Sequence, residues 1–211
     1  MKINKFIIIL IFLSILGTVF IYNSLPDKVA THFDFRGQPD KYSSKSYVIF
    51  TSLLPLAIYL FMTFLPSIDP KKNSYLKHKK AYEVTKISIV LFMIVLNWSI
   101  IMIALGFNIN LSVIVRILIG ILFIVIGNFM SQIRHNYFFG IKTPWTLASE
   151  FVWKKTHRVG AFSFIIGGLL IIVTSLTKGI LGLITFILAM IIVIFYPMLY
   201  SYIEFKKISK E

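Results

Sequence analysis

Few residues in this 211-residue chain are of types that could do chemistry, and they fall in three places. The first is a run in which Val29, Thr31, Phe33 and Phe35 alternate with Ala30, His32, Asp34 and Arg36. A period of two is that of a strand. It predicts His32, Asp34 and Arg36 along one polar edge, beside the aromatic Phe33 and Phe35. The second place is residues 132–158, with His135, Glu150, Trp153 and His157. The third is Arg116, alone within a long apolar stretch. His32 with Asp34, or His135 with His157, are metal-ligand types, but neither pair has the spacing of a zinc motif. Ordinary loop hydrogen bonding accounts for them, and no metal or cofactor is inferred. Glu150 and His157 are the one acid–base pair on a single predicted helix face, and a surface salt bridge explains that pair equally well. No Ser-His-Asp order is legible, so no enzyme is inferred. Cysteine is absent, which removes disulfides, thiolate metal sites and cysteine nucleophiles together.

The elements that must position these residues are membrane spans. The chain is 57% hydrophobic and only 14% charged, against about a quarter charged in a soluble domain. Residues 6–26, 46–68, 87–115, 117–133, 159–177 and 179–203 carry no charge. A spanning helix needs about 20 apolar residues. Residues 87–133 are too long for one span and must be two. The expectation is an all-α polytopic protein with six transmembrane helices, residues 1–211 forming a single membrane domain. The first run follows Lys2 and Lys5 as a signal peptide would, but its apolar core is longer than an h-region. It is expected to stay as the first span.

The net charge of +14 is distributed by side. The N-terminus, loops 67–86 and 132–158 and the tail 201–211 hold 16 Lys/Arg, whereas residues 24–45, 106–110 and Lys178 hold 5. Such a bias over short loops places the first set, and both termini, in the cytoplasm. The basic charge is a topology signal suited to anionic lipid, and no direct nucleic-acid partner is inferred.

Along the chain, the first span is expected at about Phe6–Asn23, followed by an outer loop 24–45 with a turn at Gly37-Gln38-Pro39-Asp40. The second span, about Tyr47–Leu65, contains Pro55 as a kink. Loop 67–86, with Lys71, Lys72, Lys77, Lys79, Lys80 and Lys86, is expected to be a solvated, lipid-facing cytoplasmic segment. The third and fourth spans follow at about Ile87–Leu105 and Leu111–Gln132. The fifth starts near Val159, and the sixth, with Pro197 inside it, ends near Tyr202. Before the fifth span, Pro144 breaks the chain and Thr146 is a plausible N-cap for a short interfacial helix from Leu147 onward. On it Glu150 and Lys154 form an i,i+4 pair, and Trp145 and Trp153 suit headgroup-level anchors. Asn97 and Asn128 read as hydrogen-bond glue between helices. Arg116, about one and a half turns inside the fourth span, reads either as a snorkelling arginine or as a partner for Asp27, Asp34, Asp40 or an incoming peptide.

Two segments resemble a known family. Leu25-Pro26, His32-Phe33-Asp34, Gly37-Gln38-Pro39-Asp40 and Ser43-Ser44-Lys45 resemble the extracellular segment of the SdpI-type immunity proteins. Gly127-Asn128, Asn136, the run Gly140-Ile141-Lys142-Thr143-Pro144-Trp145-Thr146-Leu147, Trp153 and Thr156-His157-Arg158 are similar to that family's cytoplasmic signature. Lys142 stands where arginine is more usual, so a point charge replaces a planar fork. The resemblance implies a multi-pass bacterial plasma-membrane immunity protein that protects its producer from a secreted peptide toxin. It also implies a receptor that holds a small transcriptional repressor at the membrane. On this reading His32, Phe33, Asp34, Phe35 and Arg36 meet the toxin. Asn128, Asn136, Gly140, Lys142, Thr143, Pro144, Trp145, Thr146, Trp153, Thr156, His157 and Arg158 form either a structural plug or the surface for the cytoplasmic partner. A small-molecule or lipid transporter is the alternative, although a transporter usually shows repeats and broken helices.

Overall fold

The computed structural model describes residues 3–177 and 179–209. Lys2, Lys178 and Lys210, counted in the charge bias, lie outside the described residues. Among the described residues, eight α-helices and one hairpin follow in order: α1 Lys5–Ile21, β1 Lys28–Phe33, β2 Pro39–Ser44, α2 Ser46–Ile68, α3 Ser74–Lys77, α4 Lys79–Ala104, α5 Leu111–Met130, α6 Pro144–Ala148, α7 Glu150–Thr174 and α8 Gly179–Ile208. Among the described residues, six of these (α1, α2, α4, α5, α7 and α8) are long and apolar enough to cross a membrane. The six expected spans are therefore present.

Two helix groups make the bundle. In the first, α1, α2 and α4 pack around Ile7, Ile11, Tyr59, Val90 and Ile94. Apolar contact alone specifies little between helices in lipid, so polar groups supply the register. Asn97 accepts from Thr51 Oγ1 at 2.6 Å and donates to Thr18 Oγ1 at 3.3 Å. Trp98 Nε1 donates to Ser14 Oγ at 2.9 Å. Asn97 is thus the expected interhelical glue. Asn128 is not, because it is exposed on α5.

In the second group α5 and α7 approach backbone to backbone. A Cβ on Gly120 would stand 2.6 Å from the Gly168 carbonyl, and one on Gly127 would stand 2.8 Å from the Ala161 carbonyl. Small residues permit this approach, and α8 packs on the other side of α7.

α8 runs on to Ile208, six residues past its expected end near Tyr202, and two expected helix starts move. The fourth helix begins at Lys79, eight residues before the apolar run that announced it. Lys86 is consequently a fully buried helical residue, not part of a solvated loop. Its Nζ lies 3.1 Å from Glu83 Oε2 and 3.2 Å from Thr63 Oγ1, over the Tyr59 ring. A pair one turn apart neutralises the charge, so the helix continues through it. The other shift is at the fifth span. The helix expected from Leu147 is divided: Thr143, not Thr146, caps the short α6, and Ser149 caps α7. Residues 150–158 are the first turns of the fifth span itself.

Candidate functional site

The candidate side chains gather at the two ends of the bundle. At one end the β-hairpin leans on α5. Its strands pair antiparallel from Lys28 with Ser44 to Phe33 with Pro39, with irregularities on either side of His32. The turn is Asp34–Gln38, and Pro39-Asp40 already belongs to the second strand. The predicted edge of His32, Asp34 and Arg36 is therefore not formed. Asp34 closes the turn instead: Oδ1 accepts from the backbone N–H of Arg36 and of Gln38, both at 2.9 Å. His32 Nδ1 sits 2.6 Å from Asp40 Oδ1 on the exposed surface. Gly37, at φ +84°, lets the turn settle onto Asn110.

The hairpin tip is held by three donors at the amino-terminal end of α5. Asn110 Nδ2 donates to the Arg36 carbonyl at 3.3 Å, Ser112 Oγ to the Phe35 carbonyl at 3.0 Å, and Arg116 Nη2 to the same carbonyl at 3.3 Å. Arg116 Nη1 also donates to the carbonyls of Thr174 and Thr177, at 2.8 and 3.2 Å. A cation on the orphan carbonyls of a helix C-terminus is favourable. Arg116 is only 8% exposed, so it neither snorkels to water nor pairs with Asp27, Asp34 or Asp40. Asp27 instead pairs with Lys45 at 3.3 Å. Two cavities flank the guanidinium. One, of 200 Å³, is lined by Phe33, Phe35, Leu111, Val115, Leu183 and Phe186. The other, of 310 Å³, brings Arg36, Asn110, Ser112, Ser175 and Thr177 to a wall that includes Phe35 and Val113. The hairpin thus roofs an amphipathic recess at the edge of the bundle.

At the opposite end residues 131–149 fold back on the bundle. Asn136, fully buried, accepts from the N–H of Phe138 and Phe139 at 3.0 and 2.7 Å and donates to the carbonyls of Arg134 and Phe139. Trp153 Nε1 donates to the Ile133 carbonyl at 2.9 Å, and the indole stacks on His157 with centroids 4.1 Å apart. His157 Nδ1 lies 2.9 Å from the Trp153 carbonyl, and Nε2 accepts from Ile141 N–H at 3.0 Å. One ring nitrogen donates while the other accepts, so the imidazole is neutral. Gly140, at φ +115°, admits this ring; a Cβ there would run into His157 Nε2. Thr143 and Thr146 form a capping box, and Thr143 Oγ1 lies 3.0 Å from Ser201 Oγ on α8.

The structure therefore separates the signature residues. Asn136, Thr143, Thr146, Trp153, Thr156 and His157 are buried, whereas Asn128, Lys142, Pro144 and Arg158 are exposed and Trp145 is half-buried against Tyr202. Trp153 is a core residue rather than a headgroup anchor. Glu150 does not meet His157; it pairs with Lys154 at 3.0 Å, as the spacing predicted.

Sequence reasoning missed the partners that residues 69–78 supply. Asp69 Oδ2 accepts from Tyr75 Oη and from Tyr137 N–H, both at 3.0 Å. Tyr75 Oη is also 3.2 Å from Asn136 Oδ1, and His78 Nδ1 accepts from Arg134 N–H at 3.1 Å. Burial, and then the carboxylate of Asp69, push the Tyr75 phenol above its ordinary range. Burial and the Arg134 charge lower His78 to about 4. Burial and Lys71, whose Nζ lies 2.7 Å from Nδ1, lower His135 too. An acid before proline, Asp69-Pro70, amid a lysine-rich run was the available signal of a turn.

Two family models match this chain. One, described as the SdpI/YfhL protein family, matches residues 132–201, the folded-back segment with α7 and most of α8. The other, a domain of unknown function (DUF1648), matches residues 9–66, which carry α1, the hairpin and α2. The chain is also similar along its whole length to "Immunity protein SdpI" of Bacillus subtilis (strain 168), 28% identical over 209 residues and 99% of each chain. No solved structure matches it. The six apolar spans and this similarity together make it a multi-pass protein of the plasma membrane.

Proposed function

We propose that this protein confers immunity to a secreted, membrane-active peptide toxin, and that the toxin meets it at the hairpin end. The observation that carries the function is the end-to-end likeness to an immunity protein. The charge bias of 16 to 5 Lys/Arg supports placing the hairpin outside and the folded-back segment in the cytoplasm. The recess over Arg116 then faces the toxin. Phe33 and Phe35 offer apolar area, and Arg36, Ser112 and Asn110 offer hydrogen bonds at its mouth. An apolar pocket with a few polar groups is the usual form of a binding site. Replacing Phe35→Ser together with Arg36→Glu should lower survival under toxin while membrane abundance is unchanged. Unchanged survival would move the contact into the helices.

A role in holding a transcriptional repressor falls to the exposed signature residues. Lys142, Pro144, Trp145 and Arg158 can reach a cytoplasmic partner, whereas the buried Trp153 and His157 can act only by shaping that face. Arg158→Ala should remove the repressor from the membrane fraction and leave survival intact. Loss of both together would make this face structural.

A further inference from the structure

The cavity between the end of α2 and the start of α4 belongs to neither proposed surface. It measures 560 Å³ and is lined by Thr63, Pro66, Ser67, Lys72, Asn73 and Lys79, with Tyr75 and Leu76 beside them. No carboxylate lines it. Of the loop's other lysines, Lys71 meets His135, Lys80 lies over Phe129, Lys86 pairs with Glu83, and Lys77 lies outside the lining. Lys72 and Lys79 take part in no ion pair among the described residues. They are brought together by the turn after Asp69, where Asp69 accepts from the N–H of Lys71 and of Lys72. Two like charges converging on one cavity repel unless an anion lies between them. Lys79 also opens α4, whose amino-terminal turn has no side-chain cap, a second feature that favours an anion.

The neighbouring surface indicates which anion. Phe64 and Ile68 on the last turns of α2 and Leu76 on α3 are 60%, 51% and 76% exposed. An apolar wall of this kind at a span end faces acyl chains. We infer that the cavity bounded by Lys72 and Lys79 holds the phosphate of an anionic phospholipid, with its chains along Phe64 and Ile68. A basic pocket between span ends is the expected form of a headgroup site. The inference does not depend on the immunity reading or on which leaflet this end faces.

The test uses the full chain in detergent, mixed with phosphatidylglycerol, phosphatidylcholine or inorganic phosphate and examined by native mass spectrometry. Phosphatidylglycerol should be retained in preference to phosphatidylcholine, and inorganic phosphate should not displace it at equal concentration. Each lysine near an anionic surface contributes about fivefold. Lys72→Gln and Lys79→Gln should each weaken retention by about that factor, and the double variant by roughly 25-fold. Lys77→Gln with Lys206→Gln, which removes equal charge outside the cavity, should leave it unchanged. Equal retention of the two lipids, equal loss in both double variants, or displacement by phosphate alone would overturn the assignment.

Discussion

Trp153→Ala separates a keystone from a contact surface. The indole is fully buried, bonds the Ile133 carbonyl and stacks on His157. Truncating a buried tryptophan to alanine costs about 3–5 kcal/mol in packing. The Ile133 carbonyl then loses its donor, and an orphaned buried acceptor costs about 1–3 kcal/mol more. Trp153→Phe is the intermediate case, because it keeps an aromatic ring in the stack but removes the N–H along with the five-membered ring. The expected order of stability is parent, phenylalanine, alanine, with the alanine variant losing more than the total stability of many domains can spare. The assay is the fraction of protein that stays monodisperse in detergent after a heating series, together with membrane abundance in cells. Both should fall in that order. An alanine variant as abundant and heat-resistant as the parent would refute the reasoning, and would return Trp153 to the surface where a partner could touch it.

Three further outcomes follow from the same geometry. Gly140→Ala should lower heat resistance by about 1–3 kcal/mol, the cost of a side chain at a strained φ. Because its Cβ also meets His157, the loss should shrink when His157→Ala is added, as a double-mutant cycle would show. Folded His78 binds its proton only near pH 4, whereas the unfolded group binds near 6.5. Its contribution is therefore complete above pH 6.5 and is lost as the pH falls from there toward 4, by at most about 3 kcal/mol. Heat resistance measured across that range should decline, and His78→Asn, which can still accept from Arg134 N–H, should flatten the decline. Asn97→Leu should cost only about 1 kcal/mol, since each interhelical hydrogen bond in a membrane averages about 0.6. A shift in the melting series as large as that of Trp153→Ala would show that this term is undervalued.

The spans were legible because lipid demands unbroken apolar length, and that demand is written locally. Where a charge was satisfied by a neighbour, local reading failed: Lys86 looked like loop because its partner Glu83 and its position over Tyr59 appear only once the helix is built. The hairpin was half legible. Alternation announced β1, but β2 carries the polar sequence Pro39–Ser44, whose residues are mostly exposed and show no apolar period. Arg116 stood out by type alone, yet apart from Ser112 Oγ one turn away its partners are backbone carbonyls at Thr174, Thr177 and Phe35, which no side-chain pattern encodes. The folded-back segment was recognisable as a motif before its logic was visible. Tyr75 meets Asn136 across 61 positions of sequence and Asp69 meets Tyr137 across 68, and such tertiary pairing leaves no periodic trace.

Immunity is the centre of this account, and its most direct measurement is survival of the native host lacking this gene when it is given culture supernatant from its unaltered siblings. The account predicts that the deletion strain dies or lyses, that the full chain supplied in trans restores growth, and that the chain carrying Phe35→Ser and Arg36→Glu reaches the membrane without restoring it. Equal growth of deletion and parent strains in that supernatant, across growth phases in which the peptide is secreted, would contradict it.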